Sequence, residues 1–194
     1  MIQKNEMRET ITHVASELFA RYGYQKTTMD DIARACGKGK SSIYYYFRNK
    51  EEAFIAVLEQ DIIMLKAKLL ASISSTSDPK DKLKRYVITR MNGMKSLINI
   101  YNVIKNEYLS QFAFIEQIRE RYDNEEHDII KGILDEGIKG GIFEIEDTSI
   151  AALALVTAMK GFEIPLFIKH RPDVDLESRL DKLLSILFHG LLKR

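Results

Sequence analysis

The chain has no tryptophan, one cysteine, three prolines and ten glycines in 194 residues. A single cysteine, Cys36, excludes an internal disulfide. His13, His127, His170 and His189 are scattered without ligand spacing, so no metal is expected. So few helix breakers, long 3.6-residue apolar periods and few β-branched alternations exclude a sheet and predict an all-α chain. Long hydrophobic runs are also missing. The best candidate starts at Ile150, ends at Lys160 after ten residues and is followed by Glu163 and Pro165. That length suits a buried or interface helix rather than a bilayer span, so no membrane is expected. The segment Ile2 to Thr10 is polar and charged, without a secretory leader, which makes the cytoplasm the expected location.

Catalytic patterns are absent as well. There is no P-loop and no dinucleotide fingerprint, and Cys36 is far in sequence from every histidine but His13. The pairs Glu125-Glu126 and Asp30-Asp31 read as solvated or helix-start charges. Neither an enzyme nor a cofactor is expected. Formal net charge is only +1, but it divides unevenly: residues 1–50 carry nine Lys/Arg against five Asp/Glu, and the remainder twenty against twenty-three. Basic charge therefore gathers at the N-terminal end.

The segment Thr27 to Phe54 explains why that matters. Thr28 precedes Met29 and Ile32, with Asp31 three residues on, an N-cap followed by an acidic first turn. Gly37 follows Ile32 to Cys36, where a helix C′ residue takes positive φ. A second short helix, Lys40 to Phe47, points Ile43 and Phe47 inward. Its other face holds Lys40, Ser41, Ser42, Tyr44 and Tyr45, too polar and aromatic for a core but suited to a DNA groove. In a helix-turn-helix the N-terminal part of the second helix enters the major groove. Lys40 can donate to guanine, the serines to base edges or phosphate, and tyrosine hydroxyls to phosphate. Asn49 then caps another helix, with Glu52 at the capping-box position. Lys50 opens that helix against the dipole, either as an ordinary exposed lysine or as a phosphate contact.

These residues resemble the DNA-binding region of the TetR (tetracycline-repressor-like) family of transcriptional regulators, over roughly Arg8 to Leu58. The matching elements are Asp31-Ile32-Ala33, Cys36-Gly37, Ile43-Tyr44-Tyr45-Tyr46-Phe47 and Lys50-Glu51. The turn departs from the family pattern: Lys38 and Gly39 stand where an apolar residue and a serine-like cap are usual. The resemblance implies an N-terminal three-helix head over 1–48 and a larger helical regulatory and dimerisation body over 49–194. With the residue chemistry, it nominates Thr28, Lys38, Gly39, Lys40, Ser41, Ser42, Tyr44, Tyr45, Tyr46 and Lys50 for DNA contact.

Beyond the motif, the first helix carries an inward stripe of Ile11, Val14, Ala15, Leu18, Phe19 and Tyr22, ended by Gly23. A long helix follows with Phe54, Leu58, Ile62, Leu65 and Leu69 inward; Ser72 to Ser77 closes it. Asp78-Pro79 starts the next, with Leu83, Val87, Met91, Met94, Leu97 and Ile98 inward and a break near Asn99 or Asn102. Phe112 to Lys139 follows, with a stripe running from Ile115 to Ile138. It ends at Gly140-Gly141, where Ile142-Phe143 is expected to pin the loop. Thr148 to Ile168 is apolar nearly all round, and Asp175 to Leu192 is leucine-rich. By resemblance these two form a four-helix dimer interface, through Leu153, Leu180, Leu184, Leu187 and Leu191, with Gly161 permitting a close crossing. The other reading buries both inside a monomer. Resemblance also implies a small-molecule effector, with Met91, Met94, Tyr101, Tyr108, Phe112, Phe162 and Phe167 as candidate lining, although such stripes are more often plain core. A fatty acyl compound and a hydrophobic drug suit that lining equally, and Glu107 and Glu163 leave a cationic drug open. The expected function is a homodimeric repressor on a palindromic operator, released by an apolar or amphipathic ligand. The other candidate is a nucleoid or division factor answering to a protein partner.

Overall fold

The computed structural model describes residues 2–97, 113–167 and 176–189. Among them are eight helices and no strands: α1 (Ile2–Tyr22), α2 (Met29–Ala35), α3 (Lys40–Tyr46), α4 (Lys50–Ser74), α5 (Pro79–Ser96), α6 (Ala113–Lys139), α7 (Thr148–Phe167) and α8 (Leu176–His189). The all-helical class is as the composition implied. The expected break near Asn99 or Asn102 falls outside the described residues. The chain forms two compact units, divided within α4, between Met64 and Leu65, after α5, between Ser96 and Leu97, and within α6, between Glu116 and Gln117.

In the first unit, Ile11, Ala15 and Phe19 of α1 are fully buried beside Ile32, Ala33, Ile43 and Phe47. Tyr22 corrects the expected stripe, because it is 49% exposed. Gly23, at φ 81°, turns the chain, and Tyr24 takes the aromatic place instead, 5.8 Å from Phe19 and 4.7 Å from Phe54 between ring centroids. Positive φ costs glycine nothing, whereas a side chain there would clash with the backbone. Tyr22 is left outside, under the Arg21 guanidinium.

Each cap of the motif follows from its residue. The Thr28 hydroxyl accepts from the Asp31 N–H at 3.2 Å, and the Asp31 carboxylate accepts from the Thr28 N–H at 3.0 Å, closing a capping box. At the other end Gly37 takes φ 62°, Lys38 N–H donates to the Ala33 carbonyl and Gly37 N–H to that of Arg34, the Schellman arrangement. Gly39 precedes α3 with no side-chain cap. The start of α4 differs slightly from expectation. Asn49 Oδ1 accepts from Glu52 N–H at 2.7 Å, but Glu52 accepts in return from Arg48 N–H at 2.8 Å rather than from Asn49.

The second unit packs α7 and α8 on α5. Leu65 and Leu69 of α4 and Leu83, Val87 and Met91 of α5 are buried there as expected, while Ile62, in the first unit, is only half-buried. Asp78 caps α5 by accepting from Lys80 N–H at 3.1 Å. On α6 the stripe holds at Ile130, Ile133 and Leu134, but Ile138 is exposed. Gly140-Gly141 ends α6 with Gly141 at φ 67°, and the Gly137 carbonyl accepts from Ile142 and Phe143 N–H. Phe143 lies so tightly over Gly137 that this last turn is covered by its ring, and Ile142 stays exposed. Asp147 caps α7, accepting from Ser149 and Ile150 N–H. Lys84 of α5 pairs with Asp181 of α8 at 2.9 Å.

Candidate nucleic-acid interface

Helix α3 is only seven residues long, too short to persist alone, and Ile43 and Phe47 hold it on the head. Anchoring those two turns the opposite face outward. Lys40, Ser41, Ser42, Tyr44 and Tyr45 are exposed, as are Lys38 and Gly39 in the turn before them; Tyr46 is half-buried. Tyr45 and Tyr46 meet edge to face with centroids 5.1 Å apart. A cleft of about 330 Å³ opens beside them, lined by Lys38, Ser41, Ser42, Tyr45 and Tyr46 with Met7, Ile11 and Ile43. Of the nominated residues, Lys38, Ser41, Ser42, Tyr45 and Tyr46 therefore line one cleft, while Gly39, Lys40 and Tyr44 are exposed without lining it. It carries hydroxyl and ammonium donors around a small-residue patch that permits close approach of a duplex.

Three nominated residues are less free than the sequence suggested. Lys40 Nζ lies 2.8 Å from Asp30 Oδ1, and this contact raises its pKa; Tyr44's ring centroid is 5.9 Å away. Thr28 donates its hydroxyl hydrogen to Asp31 at 2.6 Å, so what it offers outward is a helix start rather than a free donor. The same hydroxyl is the main reason Asp31's carboxyl is held below the usual range. Lys50 departs most, for it is turned inward. Its Nζ donates to the Tyr24 carbonyl at 2.7 Å and to that of Gln25 at 3.4 Å, and sits 4.4 Å from the Tyr24 ring centroid. Burial lowers its pKa. Lys50 is thus half-buried rather than fully exposed, with its ammonium held by the turn between α1 and α2.

Reading the sequence missed the partners: Asp30 for Lys40, Tyr24 for Lys50, and Arg8, whose guanidinium covers Phe47 at 4.7 Å. It also missed a buried ionic cluster in the second unit. Arg90 and Glu126, each 1% exposed, pair at 2.5 Å (Nε to Oε1), and Tyr86 donates its hydroxyl to the same oxygen at 2.9 Å. Arg and Glu in helices normally signal a solvated face, so only helical phase (Tyr86 and Arg90 one turn apart, in line with Leu83) marked them as interior.

Of the pocket candidates, Met91 is fully buried, its sulfur 3.6 Å from Arg90 Nη1, and Phe162 is half-buried. The side chains of Met94 and Phe167, and Tyr101, Tyr108 and Phe112 altogether, lie outside the described residues. The interface candidates divide. Leu153 is 59% exposed, but Leu180 and Leu184 are 2% and 5% exposed, because the inner stripe of α8 is spent within the subunit. These two cannot form an intersubunit surface as they stand. The side chain of Leu187, and Leu191, lie outside the described residues. Cys36 is half-buried, and burial pushes its thiol above the ordinary value. Among the described residues no cluster could hold a metal ion, and no helix is long and apolar enough to cross a membrane.

A short helix carrying exposed donors, set by a glycine turn against a capped helix, defines a helix-turn-helix regulator of transcription. Residues 11–57 match the family described as bacterial regulatory proteins, tetR family. A transcriptional regulator from Cytophaga hutchinsonii is 30% identical over 93% of both chains, with a TM-score of 0.75. The fatty acid metabolism regulator protein of Bacillus subtilis is 24% identical over 98% of each. The Bacillus subtilis regulator FadR, solved with stearoyl-CoA, has a TM-score of 0.77 at 22% identity, covering 96% of this chain and all of that one. The chain belongs to the TetR family and is a DNA-binding transcriptional regulator, not an enzyme.

Proposed function

We propose that the chain is a cytoplasmic repressor that binds a palindromic operator as a homodimer and leaves it when a small apolar or amphipathic effector binds. In this reading the head, about 1–48, contacts DNA through the exposed face from Lys38 to Tyr46, and residues 49–194 dimerise and hold the effector.

The outward face of α7 carries this proposal. Ile150 is 66% and Leu153 59% exposed, and Ala154, Thr157, Ala158 and Gly161 continue the same line at helical spacing, also exposed. A Cβ added to Gly161 would meet nothing within 4 Å among the described residues. A stripe both apolar and small, left uncovered among the described residues, suits the close approach of a second helix. A two-fold dimer then presents two recognition helices about 34–36 Å apart, or a multiple, which demands an inverted repeat. The amphipathic effector is supported by stearoyl-CoA in the related FadR, and by Met91, an apolar pocket candidate in contact with the buried Arg90. No cofactor is invoked.

Sedimentation of the wild type and of Leu153→Glu tests the assembly. The wild type is expected to sediment as a dimer at micromolar concentration and the variant as a folded monomer with weak operator binding. A monomeric wild type refutes the proposal. For release, a long-chain acyl-CoA is titrated against free and operator-bound protein. A thousandfold difference in its affinity equals about 4 kcal/mol of coupling, and by linkage the operator must weaken the ligand by the same factor. Equal affinity in both states rules that compound out. Occupancy at many dispersed chromosomal sites would instead favour a DNA organiser.

A further inference from the structure

The turn between α1 and α2 is closed on itself. The Thr27 hydroxyl donates to the Gly23 carbonyl at 2.9 Å and approaches that of Leu18 at 3.4 Å, while Thr27 N–H returns to Gly23 at 3.3 Å. Thr27 is almost fully buried. Tyr24 in this turn packs its ring on Phe54 of α4 and on Phe19 of α1, and Phe19 and Phe54 meet edge to face at 4.9 Å. Lys50, the first residue of α4, reaches over the Tyr24 ring to the Tyr24 and Gln25 carbonyls. A cation at a helix N-terminus is disfavoured by the dipole. Here two carbonyl acceptors and an aromatic face offset that cost. Because the turn is internally bonded, holding Tyr24 also holds Thr28, the cap of α2.

We propose that Lys50 is a positioning residue: its ammonium clamps the α1–α2 turn to the first turn of α4, and so sets where α2 and the recognition helix stand, without itself touching DNA. This rests on the head binding DNA, and its first test is independent of DNA. Free full-length protein is treated with a limiting dose of an amine-acetylating ester, and modification is read lysine by lysine. Lys50 should react several-fold more slowly than exposed Lys38, and a bound duplex should not change its rate. Lys50 as reactive as Lys38 in free protein, and shielded only by the duplex, overturns the proposal.

The second test uses a duplex enriched from a random pool by the wild-type protein. A phosphate contact removed by Lys50→Met would lower the salt slope of binding by about one ion. A clamp predicts roughly tenfold weaker binding with an unchanged slope. Tyr24→Leu removes the ring under the ammonium and should cost about as much as Lys50→Met, with the double variant no worse than either. Tyr24→Phe keeps the ring and carbonyl and should bind as the wild type does. Additive losses, or a slope reduced by one, overturn the proposal. If Lys50→Met fails to fold, the labelling result decides alone.

Discussion

Arg90→Met puts the second unit's buried charge to a severe test. The substitution keeps most of the side-chain volume but removes the Nε donor that meets Glu126 at 2.5 Å, in a place where both partners are 1% exposed. An uncompensated buried charge costs about 3–5 kcal/mol. For a chain of this size that is a fall of roughly 6–20 °C in melting temperature, at about 2–4 °C per kcal/mol. Arg90→Met with Glu126→Leu removes both charges but strands the Tyr86 hydroxyl, leaving about 1–3 kcal/mol of loss. Adding Tyr86→Phe should return stability to within about 1 kcal/mol of wild type. Urea unfolding followed by circular dichroism measures all three. The pH dependence gives a second check. Burial first, then the negative charge of Glu126, raises the Tyr86 hydroxyl pKa above its ordinary 10.0. Folded protein therefore keeps that proton where the unfolded chain loses it. Its stabilising contribution is complete below pH 10 and declines as pH rises beyond, so Tyr86→Phe should flatten the alkaline loss. A single variant that loses under 1 kcal/mol, or a triple variant as unstable as the single, refutes the reasoning.

Thr28→Ala should cost about 1 kcal/mol through the lost cap. Because Asp31's carboxyl lies below its unfolded 3.8, its contribution is present above about pH 4 and fades as pH falls further, so the variant's acid melting curve should be flatter there. Asp30→Asn frees Lys40, and filter binding should show tighter non-specific DNA affinity with a salt slope steeper by about one ion; an unchanged slope means Lys40 does not meet phosphate. Gly137→Ala places a Cβ 2.1 Å from the Phe143 ring, and calorimetry should find about 1–3 kcal/mol lost as the ring is displaced.

How much of this was legible depends on what each residue signals locally. Thr28, Asp31, Gly37, Asn49 and Asp78 announce helix ends because capping is a matter of neighbours three or four residues away, and each acts as its type implies. Periodicity marked Ile11, Ala15, Phe19, Leu83 and Ile130 as core. It failed at Tyr22 and Ile138, where the helix continues in phase beyond the surface that covers it. It could not say whether Leu184 meets its own subunit or another, since an apolar stripe carries no address. The direction of Lys50 was equally hidden, because two carbonyls 25 and 26 residues earlier decide it.

Helices α2 and α3 each have seven residues, half the length at which isolated helices begin to persist. Their existence therefore depends on the packed stripe beneath them, and the proposed DNA-reading surface forms or vanishes as a whole. In a genetic screen this separates two kinds of mutant. Substitutions at Ser41, Ser42 or Tyr45 should weaken regulation at every temperature. Conservative truncations at Ile11, Phe19, Ile32, Ile43 or Phe47, all of them buried, should instead give temperature-sensitive alleles that regulate normally in the cold.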